Sequence, residues 1–232
     1  MITLRKATER GRADHGWLKS WHSFSFADYY DPAYMEFSSL RVINDDTVDA
    51  GQGFATHGHR DMEILSYVLS GSLQHKDSMG NGRVMNYGEV QLMSAGTGVQ
   101  HSEFNPSPDE AVHFLQIWII PNHMGIKPGY QQKYFAPEEK RGRWCLLASP
   151  DAANGSLLLH QDARVFAALL DGEERLDYTL AQGRKAYLHV ARGTLKAANM
   201  QLTAGDALMI SDVTTITLEN AVEAEVLLFD LV

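Results

Sequence analysis

Apolar residues in this chain come in short runs rather than at helical spacing. Ser39-Leu40-Arg41-Val42-Ile43, Ile64-Leu65-Ser66-Tyr67-Val68-Leu69, Val90-Gln91-Leu92-Met93 and the run from His113 to Ile120 are rich in Val, Ile, Leu and aromatic residues. Gly, Asn, Asp and Pro punctuate them, which marks them as strands between turns. Their spacing predicts an all-β sandwich or barrel. From Pro121 to Ser156 the texture changes, with Pro121, Pro128, Pro137 and Pro150 interleaved with Gly125, Gly129, Gly142 and Gly155. This stretch reads as a long connection with short helical turns. Strand-like runs resume at Leu157-Leu158-Leu159 and Ala186-Tyr187-Leu188-His189-Val190.

The two halves share an order of features. Tyr67-Val68-Leu69-Ser70-Gly71-Ser72-Leu73 is followed by Gly88-Glu89-Val90-Gln91-Leu92-Met93. Leu188-His189-Val190-Ala191-Arg192-Gly193-Thr194-Leu195 is followed by Gly205-Asp206-Ala207-Leu208-Met209-Ile210. In each half a strand ends at a glycine and a Gly-acid pair opens a later strand, as expected of an internal duplication.

Composition narrows the function classes. With 232 residues and 44% hydrophobic residues the chain can bury one large or two small cores. No apolar run nears the roughly 20 residues of a membrane helix, and no apolar stretch follows the charged Met1–Lys6, so neither a membrane span nor a secretory signal is expected. Cys145 is the single cysteine, which excludes an internal disulfide framework and fits a reducing cytoplasm. It has no neighbouring His and reads as an inert thiol. The net charge of -9 disfavours nucleic-acid partners, because the surface repels phosphate.

The chemistry concentrates in two segments. In Gly51-Gln52-Gly53-Phe54-Ala55-Thr56-His57-Gly58-His59-Arg60-Asp61-Met62-Glu63, residues two apart on a strand face the same way, so His57 and His59 present two imidazoles side by side. His101-Ser102-Glu103 repeats the spacing with an imidazole and a carboxylate, behind Gly96 and Gly98. One His-x-His is common on protein surfaces; two such pairs framed by glycines point to a metal site. Three nitrogens and one oxygen suit Fe, Cu, Ni, Mn or Zn. Glu63 and Asp61 share strand parity with the His57 pair, so spacing leaves either as the carboxylate or as a partner orienting a histidine. His22, His75 and His113 read as structural histidines. Trp21, Phe24 and Phe26 read as core, and Phe54, Met93 and, less so, Phe104 as an apolar substrate wall. The second half has no His-x-His, and His160 and His189 stand far apart in sequence.

These segments resemble the cupin motifs in the form found in the pirin family. The resemblance is carried by Gly16-Trp17-Leu18-Lys19-Ser20-Trp21-His22-Ser23-Phe24-Ser25-Phe26, Leu40-Arg41-Val42-Ile43-Asn44-Asp45-Asp46, His57-Gly58-His59-Arg60-Asp61-Met62-Glu63, Ser94 through Asn105 and His160-Gln161-Asp162. It departs from the general cupin pattern, with Ser94 where proline is usual and a longer Glu63-to-Gly71 gap. The resemblance implies two cupin barrels arranged as a bicupin, a metal-binding one over residues 1–135 and a metal-free one over 136–232. It implies one divalent metal per chain, iron first, on His57, His59, His101 and Glu103, with Glu103 also the catalytic base. It further implies a cytoplasmic monomer that cleaves flavonols such as quercetin with dioxygen. The alternative it leaves is a regulatory or redox-sensing protein acting through a protein partner.

Overall fold

A computed structural model describes residues 1–232. The expected strands are present as Leu40–Val48, Glu63–Ser70, Glu89–Ser94 and Val112–Ile119. They pair in one seven-stranded sheet, completed by Gly11–Asp14 and Leu18–His22 at one edge and Gly129–Tyr134 at the other. A four-stranded sheet faces it in the order Gly53–His59, Val99–Phe104, Ser72–Asp77, Gly82–Asn86. The second half is one curled nine-stranded sheet, with Lys185–Ala197 and Thr215–Leu231 at its centre.

Alternation along the strands assigns the faces. The largest apolar cluster, 25 buried residues, includes Leu40, Ile43, Leu65, Tyr67, Leu115 and Ile117 from the outer face of the seven-stranded sheet. Leu147, Tyr187, Leu227 and Phe229 of the second half belong to the same cluster, so the halves are joined by a core rather than tethered. A second cluster of 17 aliphatic residues, among them Leu188, Val190, Leu208 and Leu228, fills the C-terminal barrel. The inside of the N-terminal barrel is different. It holds only two small clusters, around Phe114 and around Met93. Between them, one cross-strand row places Gln91, Ser66, Gln116, Asn44 and His22 side by side. This polar row keeps the interior open for a site.

Two features differ from the sequence reading. Residues 121–156 are not mainly a connection. Gly129–Tyr134 pairs with Glu89–Ser94, Cys145–Ser149 pairs with Arg164–Gly172, and only Pro137–Lys140 is α-helical. Polar Gln131, Gln132 and Lys133 mask the first of these strands, which lies at an edge. The glycines of the repeated pattern also act differently. Gly71 and Gly193 share a positive φ, 72° and 67°. A Cβ would meet Ala111 O at 2.7 Å in one case and Val222 O at 2.3 Å in the other. Gly71 separates two strands that enter different sheets, whereas Gly193 sits at a register shift within the continuous strand Lys185–Ala197. The first barrel is thereby split into two sheets with space between them, and the second stays closed around its aliphatic core.

Candidate metal centre

Gly53–His59 and Val99–Phe104 run antiparallel, with His101 opposite His57 and Val99 opposite His59. This register brings the three imidazoles together, with ring centroids 4.5 to 4.8 Å apart. The donor atoms of His57, His59 and His101 all lie within 4.8 Å of one another. Nε2 of His57 and Nε2 of His101 are 3.0 Å apart. Two nitrogens each about 2.1 Å from one ion and roughly at right angles would stand about 3 Å apart, so the spacing fits a shared cation.

Protonation and tautomer also fit. Burial, followed by the neighbouring His57, pushes His59 down to about 4, and the same two causes take His101 down to about 3. Both rings are therefore neutral at neutral pH with a lone pair available. His57 Nδ1–H donates to Ala55 O at 2.8 Å, which leaves Nε2 as the free acceptor facing the cluster. His101 is oriented by a relay. Asp77 Oδ2 accepts from His75 Nε2 at 2.9 Å, and His75 Nδ1 faces His101 Nδ1 at 3.4 Å. Because Asp77 only accepts, His75 carries its proton on Nε2, accepts from His101 and turns the His101 Nε2 lone pair toward His57. Asp77 is itself fixed by Met79 N, Asn81 N and Asn81 Nδ2 at 2.8 to 3.0 Å, so the tight turn after it sets the relay. Tyr130 packs over His75 with centroids 4.9 Å apart. His75, read from sequence as a structural histidine, thus belongs to the centre.

Glu103 is fully buried and accepts from Ser66 Oγ at 3.1 Å and Gln116 Nε2 at 3.3 Å. Burial raises its carboxyl, and the neighbouring His75 and the hydrogen bonds from Ser66 and Gln116 partly oppose this. Its oxygens group with His75 and His101 rather than with the three-histidine set, and His101 is shared by both groups. A register shift contributes: His101 pairs with His57, but Glu103 pairs with Phe54. Gly53 makes that approach possible, since a Cβ there would lie 2.3 Å from Glu103 O.

Glu63 and Asp61 are not at the centre. Asp61 has φ 48° and turns the chain, so Glu63 begins a strand of the other sheet and its apparent parity with His57 is broken. Asp61 Oδ1 accepts from Gly125 N at 2.6 Å. Glu63 Oε2 takes Ser94 Oγ at 3.0 Å and both His160 Nδ1 and His160 N at 3.2 Å. Glu63→Ala removes the acceptor shared by the buried Ser94 hydroxyl and His160 N and is expected to destabilise the fold by about 1–3 kcal/mol. Urea unfolding measures this, and an unchanged midpoint would contradict the tie.

A cleft of about 870 Å³ opens onto His57 and His59, walled by Trp17, Phe26, Phe54 and Trp118. Phe26, expected in the core, lines it, and so does His22. Met93 is not in the wall but buried with Ile64 and Ala95, and Phe104 is 38% exposed on the opposite strand face. Met93 lies on a strand of the other sheet from the histidines, and Phe104, one residue past Glu103, points to the opposite face of its strand. No helix is long and apolar enough to cross a membrane.

Residues 3–119 match the family model described as Pirin, and residues 146–231 match one described as Quercetinase C-terminal cupin domain. The chain is 50% identical over 231 residues to a protein of Escherichia coli K12 named quercetin 2,3-dioxygenase, covering 100% of this chain and 99% of that one. It is 40% identical over 231 residues to a pirin-like protein of Caulobacter vibrioides, covering 99% of each. The structure superposes with a TM-score of 0.95 on the E. coli bacterial pirin YhhW in complex with nickel(II), which is 50% identical, over 100% of this chain and 99% of that one. The motifs read from the sequence, the two-barrel fold and these full-length similarities agree that the chain belongs to the pirin family, a bicupin family.

Proposed function

We propose that the chain is a metal-dependent dioxygenase that opens the central ring of flavonols such as quercetin. The observation that carries this reading is the convergence of three imidazoles, with a buried carboxylate beside them, at an aromatic cleft onto which His57 and His59 open. His57, His59 and His101 hold one divalent transition metal, with Glu103 as the oxygen donor next to them. Imidazole nitrogens with a carboxylate suit first-row divalent ions, and the nickel(II) of the E. coli relative supports the assignment. We take residues 1–135 as the unit that carries the site and 136–232 as its partner barrel. The pairing of Gly129–Tyr134 with the first barrel supports this division.

When bound, the metal supplies a Lewis acid that lowers the pKa of a phenolic hydroxyl and brings flavonol and dioxygen together. The rest falls to the chain's own groups. Trp17, Phe26, Phe54 and Trp118 enclose a flat aromatic ligand and exclude water. Glu103 takes the proton of the hydroxyl beside the flavonol carbonyl, while Ser66 and Gln116 hold the carboxylate in place. Dioxygen then adds across the central ring, which opens with loss of carbon monoxide. Incubating the metal-loaded protein aerobically with quercetin, with metal content and carbon monoxide measured on the same sample, tests this. Protein carrying one metal per chain that neither consumes quercetin nor releases the gas would reject it.

The relay gives a second expectation. Asp77→Asn puts an amide donor where His75 needs a pure acceptor and permits the reversed tautomer. Metal affinity should fall by about ten- to a hundredfold, read by competition with a chelator. Long-range nitrogen NMR should show His101 losing its single tautomer. Unchanged affinity with an unchanged tautomer would remove Asp77 and His75 from the centre.

A further inference from the structure

Asp45 and Asp46 are neighbours on Leu40–Val48 and meet opposite environments. Asp45 bonds Arg10 Nη1 at 3.0 Å and His113 Nε2 at 2.6 Å. Burial alone would raise its carboxyl, but His113 and Arg10 bring it down to about 2. Asp46, on the other face of the strand, lines the cleft and is 2% exposed. No cation pairs with it. Its only side-chain hydrogen bond comes from Ser20 Oγ. Burial, opposed by Ser20 and reinforced by the charges of Asp45 and Glu103, lifts it to about 7.

A buried carboxyl with one donor is a stability liability. A carboxylate offers about four acceptor positions, so most of the capacity of Asp46 is unused by the protein. Beside it, His22 Nδ1–H donates to Asn44 Oδ1 at 2.8 Å. This occupies the amide oxygen, whereas Asn44 Nδ2 has no protein acceptor. Both residues line the cleft that also exposes His57 and His59. One wall of an otherwise aromatic cleft therefore offers spare acceptor positions on Asp46, beyond the one Ser20 fills, and the Asn44 amide donor, at alternate positions of one strand. The Glu103 contacts account for Gln116 in the same row, but nothing in the metal centre uses Ser20, Asn44 or Asp46.

We propose that Ser20, Asn44 and Asp46 form a hydroxyl-recognition subsite, in which Asp46 accepts a hydrogen bond from a ring hydroxyl of a polyhydroxylated flavonol other than the hydroxyl at the histidine cluster. The ligand class rests on the function proposed above; the subsite itself rests on the unpaired carboxyl and its place in the cleft. It makes the protein selective for flavonols hydroxylated on the outer rings, because an analogue lacking that hydroxyl leaves a buried acceptor unmet.

The test is anaerobic titration of the metal-loaded protein with quercetin and with unsubstituted flavonol, which keeps the hydroxyl beside the carbonyl and lacks the others. Wild type should prefer quercetin. Asp46→Asn should weaken quercetin by about tenfold or more and unsubstituted flavonol by less than about twofold, the size of one charge-assisted hydrogen bond. Ser20→Ala should show the same selectivity at smaller size. The thermal midpoint of Asp46→Asn should equal or exceed that of wild type, because an unpaired buried carboxyl is removed. Equal weakening of both ligands with a lower midpoint would mean that Asp46 is structural and would overturn the subsite. Unchanged affinities in Asp46→Asn would overturn it while leaving the flavonol reading intact. A wild type that binds neither ligand would overturn both.

Discussion

Glu103→Gln is expected to lower flavonol turnover per bound metal by roughly a hundredfold to ten-thousandfold, the range for loss of a general base. Glutamine keeps the volume and one oxygen, and Gln116 can turn its own amide oxygen toward the new donor, so the buried site stays filled. What is lost is the group that takes the proton. Part of the metal should remain on the three imidazoles, so turnover must be divided by metal content in each sample. Per-metal turnover within about threefold of wild type would show that the proton goes elsewhere. Glu63→Gln is the matched control, since Glu63 lies in the opposite sheet and is tied to Ser94 and His160. Its per-metal turnover should be normal. The reverse pattern would place the catalytic carboxylate at Glu63 and contradict the register on which the assignment rests.

The metal centre was legible in the sequence as far as strand parity holds. His57 and His59, and His101 with Glu103, satisfy the same two-residue rule, and the strands carrying the histidines are paired neighbours. Parity fails at chain reversals, and Asp61 at positive φ is such a reversal, which is why Glu63 could not be separated from Glu103 on spacing. His75 and Asp77 obey the same rule as His57 and His59. His75 reads as structural in Leu73-Gln74-His75-Lys76-Asp77 because only the pairing of Ser72–Asp77 with Val99–Phe104 brings it and Asp77 to His101. The open interior was visible in a form that only register converts into a place. Ser66, Gln91 and Gln116 are each a single polar residue inside an apolar run, and each alone looks like an ordinary interruption. Once the strands pair, the three are neighbours across one sheet. The edge strand Gly129–Tyr134 lacked even that signal, since its apolar content is low and its partner is remote in sequence.

The double substitution His57→Ala/His101→Ala should abolish metal binding without unfolding the chain. If the roughly 10–16 kcal/mol typical of a four-donor protein metal site is spread over its donors, each contributes about 3 kcal/mol. Removing two should then weaken binding by about ten-thousandfold or more. His59 and Glu103 alone cannot offset that loss, and the substitution also removes the 3.0 Å pair that defines the centre. The fold should survive, because the two large apolar clusters are built without these residues. Elemental analysis should find metal near one per chain in wild type and near zero in the variant, with similar far-ultraviolet circular dichroism. Thermal unfolding adds an independent readout. A ligand that binds only the native state raises its midpoint by mass action, so added nickel(II) or iron(II) should raise the wild-type midpoint and leave the variant unmoved. Retention of one metal per chain by the double variant would sink the histidine assignment. If the ion then followed His75 and Glu103 on further substitution, the ion would rest on these two, which group with His101 in the wild type, rather than on the three-histidine set.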